Sequence, residues 1–330
     1  MDKPVVAVIM STYNGEKYVK EQIDSILSQN GVEVKLYIRD DGSTDQTCYI
    51  INSYHDDRII LINDGKNLGA GLSFLTLLSY VVKNNSQILY FAFSDQDDIW
   101  LSDKLISGVN LINDLSVPML YCSDVMIYRN GVNEGLVVKG NFNQTKPLDV
   151  VVNKVQGGAL TMILNRLLAE RIIQTKYPGV DILNTRFHDT WSYLVALWYG
   201  KIVCDPNSYI LHRIHGDNLW GMGESLLVKS LKSLWYFIKL PFRFLVGAYK
   251  SGEIDSYLNK LGVGYIRKTA YYYLDSIPDY NRADVAYIRM LANYRRSFSD
   301  KRLLLKHAAE CKREDESKLF FKVKVWLNLV

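Results

Sequence analysis

The chain has 330 residues, 48% hydrophobic and 22% charged, with 39 Lys+Arg against 35 Asp+Glu. That length can bury a full core with room for an appendage, and this composition excludes an intrinsically disordered chain. The four cysteines, at positions 48, 122, 204 and 311, form no CxxC pair, which argues against a zinc site or a disulfide framework and for reduced, unpaired thiols in the cytoplasm.

The first ~125 residues alternate strand-like and helix-like patterns at the spacing of an α/β fold. Val5–Met10 is a β-branched run suited to a strand buried on both faces. The loop 11–15 follows, and then Tyr18, Val19, Ile23, Ile26 and Leu27 recur at helical spacing. Val34–Arg39 reads as the second strand, and the turn 40–45 after it supplies helix-capping residues. Ile59–Ile62 reads as a third strand, 67–71 as a glycine-bearing loop, and Leu72–Val82 as an apolar helix. Ile88–Phe93 reads as a fourth strand that runs straight into Ser94-Asp95-Gln96-Asp97-Asp98. Polar clusters at 11–15, 40–45 and 94–98 therefore each follow a strand, in the register where open α/β sheets bind ligands. After Gly221 the pattern changes to helices rich in Lys, Tyr and Leu, which places a domain boundary near 220. No run reaches the ~20 apolar residues of a bilayer span, and the opening residues lack a secretory leader. The expectation is a soluble or membrane-surface protein.

Three carboxylates within four residues, at the end of an apolar strand, repel one another unless a cation joins them. The simple alternative is a solvated turn. Hard oxygen ligands at this density suit Mg²⁺ or Mn²⁺ completed by diphosphate oxygens, and such an ion would neutralise charge on a nucleoside-diphosphate leaving group. Neither a Gly-rich phosphate loop nor a GxGxxG follows the first strand, which argues against a nucleotidyltransferase or a dinucleotide-dependent oxidoreductase.

The joint arrangement is more specific than any one cluster. Val8-Ile9-Met10-Ser11-Thr12-Tyr13-Asn14, then Asp40-Asp41-Gly42-Ser43-Thr44-Asp45, then Asp95-Gln96-Asp97-Asp98-Ile99-Trp100 resembles the inverting GT-A glycosyltransferases of family 2. Phe93–Trp100 and the later His188-Asp189-Thr190-Trp191 look most like bacterial rhamnosyltransferases of surface-polysaccharide assembly, such as O-antigen or capsule. The resemblance covers roughly residues 4–220. It implies a GT-A fold, a Rossmann-like mixed sheet flanked by helices, over 1–220, with a helical C-terminal extension over 221–330. It implies a metal-dependent inverting transfer from a dTDP- or UDP-linked sugar, with dTDP-L-rhamnose favoured over a UDP-hexose, onto a saccharide acceptor, here expected to be lipid-linked.

Carried over by position, the resemblance places Ser11 and Tyr13 along the nucleotide pocket and Asp41 on the N3–H of uracil or thymine. Asp95 falls near the ribose, Asp97 on the metal, and Asp98 in a supporting or acceptor-facing position. Asp45 is read as turn-making and Trp100 as packing. Asp189 is the candidate general base, with helix N-capping as its alternative. His188 stands where the broader family more often has Glu, and with Trp191 it is expected to face sugar or acceptor. Gly157 and Gly158 either allow close approach to the sugar or make a tight turn. Arg213 is expected to pair with a phosphate, and His215 to ligate the metal or bind the diphosphate.

The net charge of +4 hides an asymmetry. Residues 226–330 hold 20 Lys+Arg and 10 Asp+Glu, a charge of +10, which leaves 19 against 25, or −6, for 1–225. Over 226–245, Lys229, Lys232, Lys239 and Arg243 fall within roughly 80° of one another on a helical projection, opposite a broad apolar face. That pattern suits an interfacial helix on an anionic membrane, at the inner face of the cell membrane; the alternative is a helix packed on the catalytic domain. Nucleic acid is not an expected partner, since no recognition module is present. A non-catalytic nucleotide-binding membrane adaptor is the rival of another class, and the full set of carboxylates argues against it.

Overall fold

A computed structural model describes residues 3–137, 148, 151, 158–175, 187–215, 270, 273–274, 283–312 and 318–326. The strands are β1 (Val5–Thr12), β2 (Glu33–Asp40), β3 (Ile59–Asn63), β4 (Tyr90–Ser94), β5 (Ile99–Trp100), β6 (Met119–Arg129), β7 (Val132–Val137), β8 (Ile163–Asn165) and β9 (Lys201–Arg213). The helices are α1 (Val19–Leu27), α2 (Thr47–Asn52), α3 (Ala70–Asn84), α4 (Lys104–Leu111), α5 (Gly158–Thr161), α6 (Arg166–Gln174) and α7 (Phe187–Tyr199), followed by α8 (Ala283–Asn293), α9 (Phe298–Lys306), α10 (Ala308–Cys311) and α11 (Lys318–Trp326).

One mixed sheet runs in the order β3-β2-β1-β4-β8-β6-β9-β5, with β7 hairpinned onto β6. The first four strands in that order are parallel. Antiparallel β8 joins β4 to β6. β9 lies parallel to β6, and short β5 pairs antiparallel with the end of β9. The parallel half follows from its sequence. Its central strands are continuous apolar runs because helices cover both faces, so alternate side chains enter separate cores. From β1, Ala7 and Ile9 pack with α3, α6 and α7 on one face, while Val6, Val8 and Met10 pack with α1 and α4 on the other. Phe91 and Phe93 of β4 join the first core; Tyr90 and Ala92 join the second.

Helices α8 to α11 bury Ile288, Leu291, Leu304, Phe321 and Val325 in the same core as α3 and α7. The expected boundary near 220 and the amphipathic segment 226–245 lie outside the described residues. Among the described residues, no helix is long and apolar enough to cross a membrane. The four cysteines are free thiols. Two that are distant in sequence nevertheless meet, because Cys122 and Cys204 are register partners on β6 and β9 with sulfurs 3.2 Å apart.

Candidate active site

The parallel strands β1, β2 and β4 end at Thr12, Asp40 and Ser94, so the loops 11–15, 40–45 and 94–98 converge at one edge of the sheet. Side chains tie them together. Asn14 N–H donates to Ser43 Oγ at 2.9 Å, and Thr44 N–H to Asn14 Oδ1 at 2.8 Å. Gln96 clamps the first loop to the acidic turn: its Oε1 accepts from Tyr13 N–H at 3.0 Å and its Nε2 donates to Tyr13 O at 3.0 Å. A side chain at Gly15 would have its Cβ 2.3 Å from Gln96 Oε1, so this approach requires glycine. Tyr13 itself is half exposed on the crevice.

Asp40 organises the second loop, accepting from Thr12 Oγ1, Ser43 Oγ and the N–H groups of Gly42 and Ser43. Asp45 accepts from Thr47 N–H and Oγ1 and from Glu16 N–H, a turn-making role. Asp41 is 3% exposed and its carboxylate is engaged on both oxygens. Oδ1 accepts from Arg39 Nη1 at 2.5 Å and Leu68 N–H at 2.7 Å, and Oδ2 from Gly69 N–H at 2.9 Å. Arg39, 1% exposed, also donates to Ser73 Oγ, Asp64 and the carbonyl of Lys66. Ser11 Oγ completes this group through Ser73 Oγ at 2.6 Å. Arg39, Ser73 and Gln96 were not singled out from the sequence. The one signal for Arg39 was a charged residue at the end of an otherwise buried strand.

The acidic turn meets the end of β9 because β5 pairs Ile99 with Leu211, setting Asp98 beside His212. Asp98 is fully buried; its Oδ1 lies 2.8 Å from His212 Nδ1 and accepts from Arg213 N–H at 3.1 Å. Burial works against the His212 imidazolium, but the hydrogen bond and charge of Asp98 outweigh it and hold its pKa up at about 9. Asp97 Oδ2 lies 2.9 Å from His215 Nε2. Arg213 donates from Nε to the Asp97 carbonyl at 3.0 Å, pairs with Glu21, and stacks on Tyr18 and Tyr128. Burial first, then the charges of Asp98 and Asp97, hold the half-buried Asp95 carboxyl well above the ordinary carboxylate range. Burial and Asp98 raise Asp97 too, with His215 opposing them. The charge of Asp189, in the first turn of α7, also acts on Asp95, so that carboxylate belongs to the same electrostatic cluster.

Two expected acceptor-facing residues lie in the core instead. His188 is 6% exposed, stacked on Phe74 at 4.2 Å and edge-on to Phe93 at 5.2 Å, and burial pushes its pKa down to about 3. Trp191 is fully buried one turn further along α7. Both are drawn inward because that helix face packs against α3 and β4. Asp98 is likewise too deep to touch an acceptor, which leaves the supporting reading for it. Gly158 opens α5 with φ +49°, whereas Gly157 lies outside the described residues. Trp100, 3% exposed, is packing.

Among the described residues, no group of three or more His, Cys, Asp or Glu side chains is arranged to hold a metal ion by itself. Asp97 with His215, beside Asp95, fits an ion that completes its shell from substrate phosphates and water, as Mg²⁺ commonly does.

A GT-A sheet with carboxylates gathered at its strand ends defines the class, and residues 7–163 match glycosyl transferase family 2. The chain belongs to that family and is a glycosyltransferase. It is 32% identical over 275 residues to a dTDP-rhamnosyl transferase, RfbG, of Shigella flexneri, covering 78% of this chain and 89% of the relative. It is 29% identical over 172 residues, 51% of this chain and 63% of the relative, to an Escherichia coli UDP-Glc:alpha-D-GlcNAc-diphosphoundecaprenol beta-1,3-glucosyltransferase. In fold it is similar to S. aureus TarS 1–349, solved in complex with UDP-GlcNAc, with a TM-score of 0.54 at 15% identity over 99% of this chain and 92% of that one.

Proposed function

We propose that the protein is an inverting glycosyltransferase that moves L-rhamnose from dTDP-L-rhamnose onto a saccharide, lipid-linked acceptor in bacterial surface-polysaccharide synthesis. The observation that carries this reading is the 2.9 Å approach of His215 to Asp97, beside Asp95, at the carboxyl ends of the parallel strands. Ser11, Tyr13 and Asp41 line the nucleotide side. Asp41, held by a buried guanidinium, accepts from the N3–H that thymine and uracil share. Asp95 lies at the ribose side. A Mg²⁺ or Mn²⁺ ion held by Asp97 and His215 supplies Lewis-acid stabilisation of the leaving diphosphate when bound. Arg213 meets the diphosphate with its guanidinium.

Asp189 takes the proton of the acceptor hydroxyl as that oxygen attacks the anomeric carbon. The bond from the anomeric carbon to the diphosphate oxygen breaks on the opposite face, so the configuration inverts. The electron pair leaves with dTDP, and the proton stays on Asp189 until solvent takes it. Similarity to a dTDP-rhamnosyl transferase favours the rhamnosyl donor, and similarity to a UDP-glucose enzyme sustains a UDP-hexose as the second reading.

The same proposal places the protein at the inner face of the membrane. Helix α11 supports it, because it buries Phe321 and Val325 and turns Leu319, Val323 and Trp326 outward, at i, i+4 and i+7, with Lys318 and Lys322 along one edge. The deciding experiment is turnover of dTDP-rhamnose and UDP-glucose by wild type and Asp189→Asn, with and without divalent ion. Wild type is expected to turn over dTDP-rhamnose, and Asp189→Asn to bind dTDP but not transfer. Nucleotide binding without turnover of any donor would establish the adaptor reading instead.

A further inference from the structure

Asp124 stands on β6 where that strand reaches the crevice edge of the sheet, and the strand ladder fixes its level. Phe91 of β4 and Leu120 of β6 both pair with Leu164 of β8, while Ala92 and Tyr121 both pair with Ile163. β4 and β6 therefore run in the same direction, and counting on from these pairs sets Asp124 level with Asp95. β8 begins at Ile163, so no strand lies between the two carboxylates. Two strand spacings, about 10 Å, separate their main chains, and α5 turns into β8 at the foot of this notch. Alternation along the strand fixes the direction of the side chain. Leu120 and Cys122 enter the core beneath α3 and α7, so Asp124 points to that face. The extra residues at the neighbouring irregularity belong to β9, since Ser123 pairs with Asp205 and Asp124 with Ser208, and β6 keeps its alternation. Tyr193 of α7 shares that core with Cys122, and Asp189 precedes Tyr193 by about one helical turn.

Asp124 is only 5% exposed, yet no hydrogen bond or ion pair reaches its carboxylate among the described residues. Asp205, paired beside it on β9, shows the contrast. Its carboxylate takes the Tyr121 hydroxyl at 3.2 Å and both the N–H and the Nδ2 of Asn207, at 2.9 and 2.8 Å. A buried carboxylate without a partner costs stability, and such a cost is characteristic of functional positions. An ionised carboxylate only accepts hydrogen bonds. Like charge bars a diphosphate from it, and among the described residues no set of three acidic, His or Cys ligands is gathered to hold a cation. A neutral donor such as a hydroxyl suits it.

We infer that Asp124 binds the donor sugar: its carboxylate accepts hydrogen bonds from hydroxyls of the sugar carried by the nucleoside diphosphate, seated in the notch between β4 and β6. The inference rests on the glycosyltransferase reading of the site. In that reading Ser11 and Asp41, on β1 and just past β2, mark the nucleotide side, and Asp95 past β4 the ribose side. A sugar joined through the diphosphate extends onward across the sheet, past Asp95 towards β6. There it lies under the first turn of α7, where Asp189 meets its anomeric carbon.

The test is calorimetric binding, without acceptor, of dTDP-rhamnose and UDP-glucose, with dTDP and UDP as sugar-free controls. Asp124→Ala should raise the dissociation constant of the sugar nucleotide about 10- to 100-fold, as for a hydrogen bond to a charged group. Binding of the free nucleotides should not change, and the variant should melt no lower than wild type. Asp124→Asn, which keeps the shape and one acceptor oxygen, should recover part of the affinity, and it carries the same comparison should Asp124→Ala fold poorly. Equal weakening of sugar nucleotide and free nucleotide would show a structural role and overturn the proposal. So would unchanged sugar-nucleotide affinity; loss of transfer alone would then assign the carboxylate to the acceptor. Wild type that binds neither sugar nucleotide would fail the glycosyltransferase reading and this proposal with it. Wild type that binds one, with Asp124→Ala unaltered, would fail the proposal alone.

Discussion

His215 Nε2 lies 2.9 Å from Asp97 Oδ2, although 118 residues separate them. The two meet because β9 runs back along β5, so the strand leaves the sheet beside the turn that follows β4. Tyr18 packs on the imidazole at 4.6 Å, and Arg213 holds the Asp97 backbone, so the pair is fixed from both sides. His215→Ala is therefore expected to reduce donor turnover about 10- to 100-fold. Asp97→Ala should reduce it further and abolish any response to added Mn²⁺. Steady-state rates across a divalent-ion titration check this; full activity of Asp97→Ala in excess chelator would remove the pair from the mechanism.

Gly15→Ala brings a Cβ against Gln96 Oε1 and should displace the side chain that clamps Tyr13. Two neutral hydrogen bonds are worth about 1 kcal/mol each, so the loss of stability should be small and the loss of donor affinity larger. Gln96→Ala is expected to reproduce the effect, and the double variant to be no worse than Gln96→Ala. Calorimetric dTDP binding alongside thermal melts separates the two quantities.

Arg39 and Asp41 form a buried ion pair, 1% and 3% exposed, that ties β2 to the loop 64–69. Arg39→Met leaves a buried carboxylate without its cation, a change that typically costs about 3–5 kcal/mol. Arg39→Met with Asp41→Asn should recover part of that stability in urea unfolding, yet not the nucleotide affinity, because the asparagine no longer offers a charged acceptor.

His188 gives the fold an acid limb. Its folded pKa of about 3 lies below the ordinary value of 6.5, so between them the unfolded chain binds a proton that the native chain does not. Stability is thus complete above pH 6.5 and is lost as pH falls through that window, by about 1.4 kcal/mol per pH unit. His188→Phe retains a ring on Phe74 and removes the titration. Its urea midpoint should fall less steeply than that of wild type from pH 6.5 to 4.5, and parallel slopes would contradict the assignment.

Leu319 and Trp326 are 74% and 69% exposed on α11. Leu319→Ser with Trp326→Ser should weaken co-sedimentation with phosphatidylglycerol vesicles and preserve donor hydrolysis in solution. The wild-type interaction should also weaken with salt, because screening reduces the attraction of the lysines to anionic lipid. Undiminished binding by the double variant would place the membrane contact elsewhere.

The sequence by itself determined the parallel half of the sheet. Val5–Met10 and Ile88–Phe93 are uninterrupted apolar runs that suit strands covered on both faces, Val34–Arg39 reads as the strand between their helices, and such strands put their following loops on one edge. It also determined the family, through motifs that are local in the chain. What only the tertiary structure decided depends on long-range pairing. The match of β5 with β9 joins Asp98 to His212 and Asp97 to His215, and no periodicity within either segment encodes it. Arg39 looked like a charged strand end until the loop 64–69 folded over it. His188 looked like a substrate contact beside Asp189 because adjacent residues on a helix point about 100° apart, and only the packing of α7 on Phe74 and Phe93 turned one inward. Lys104, at the start of α4, carried no signal at all: a lysine reads as solvated, and only the packing of that helix on Trp100 shows it buried.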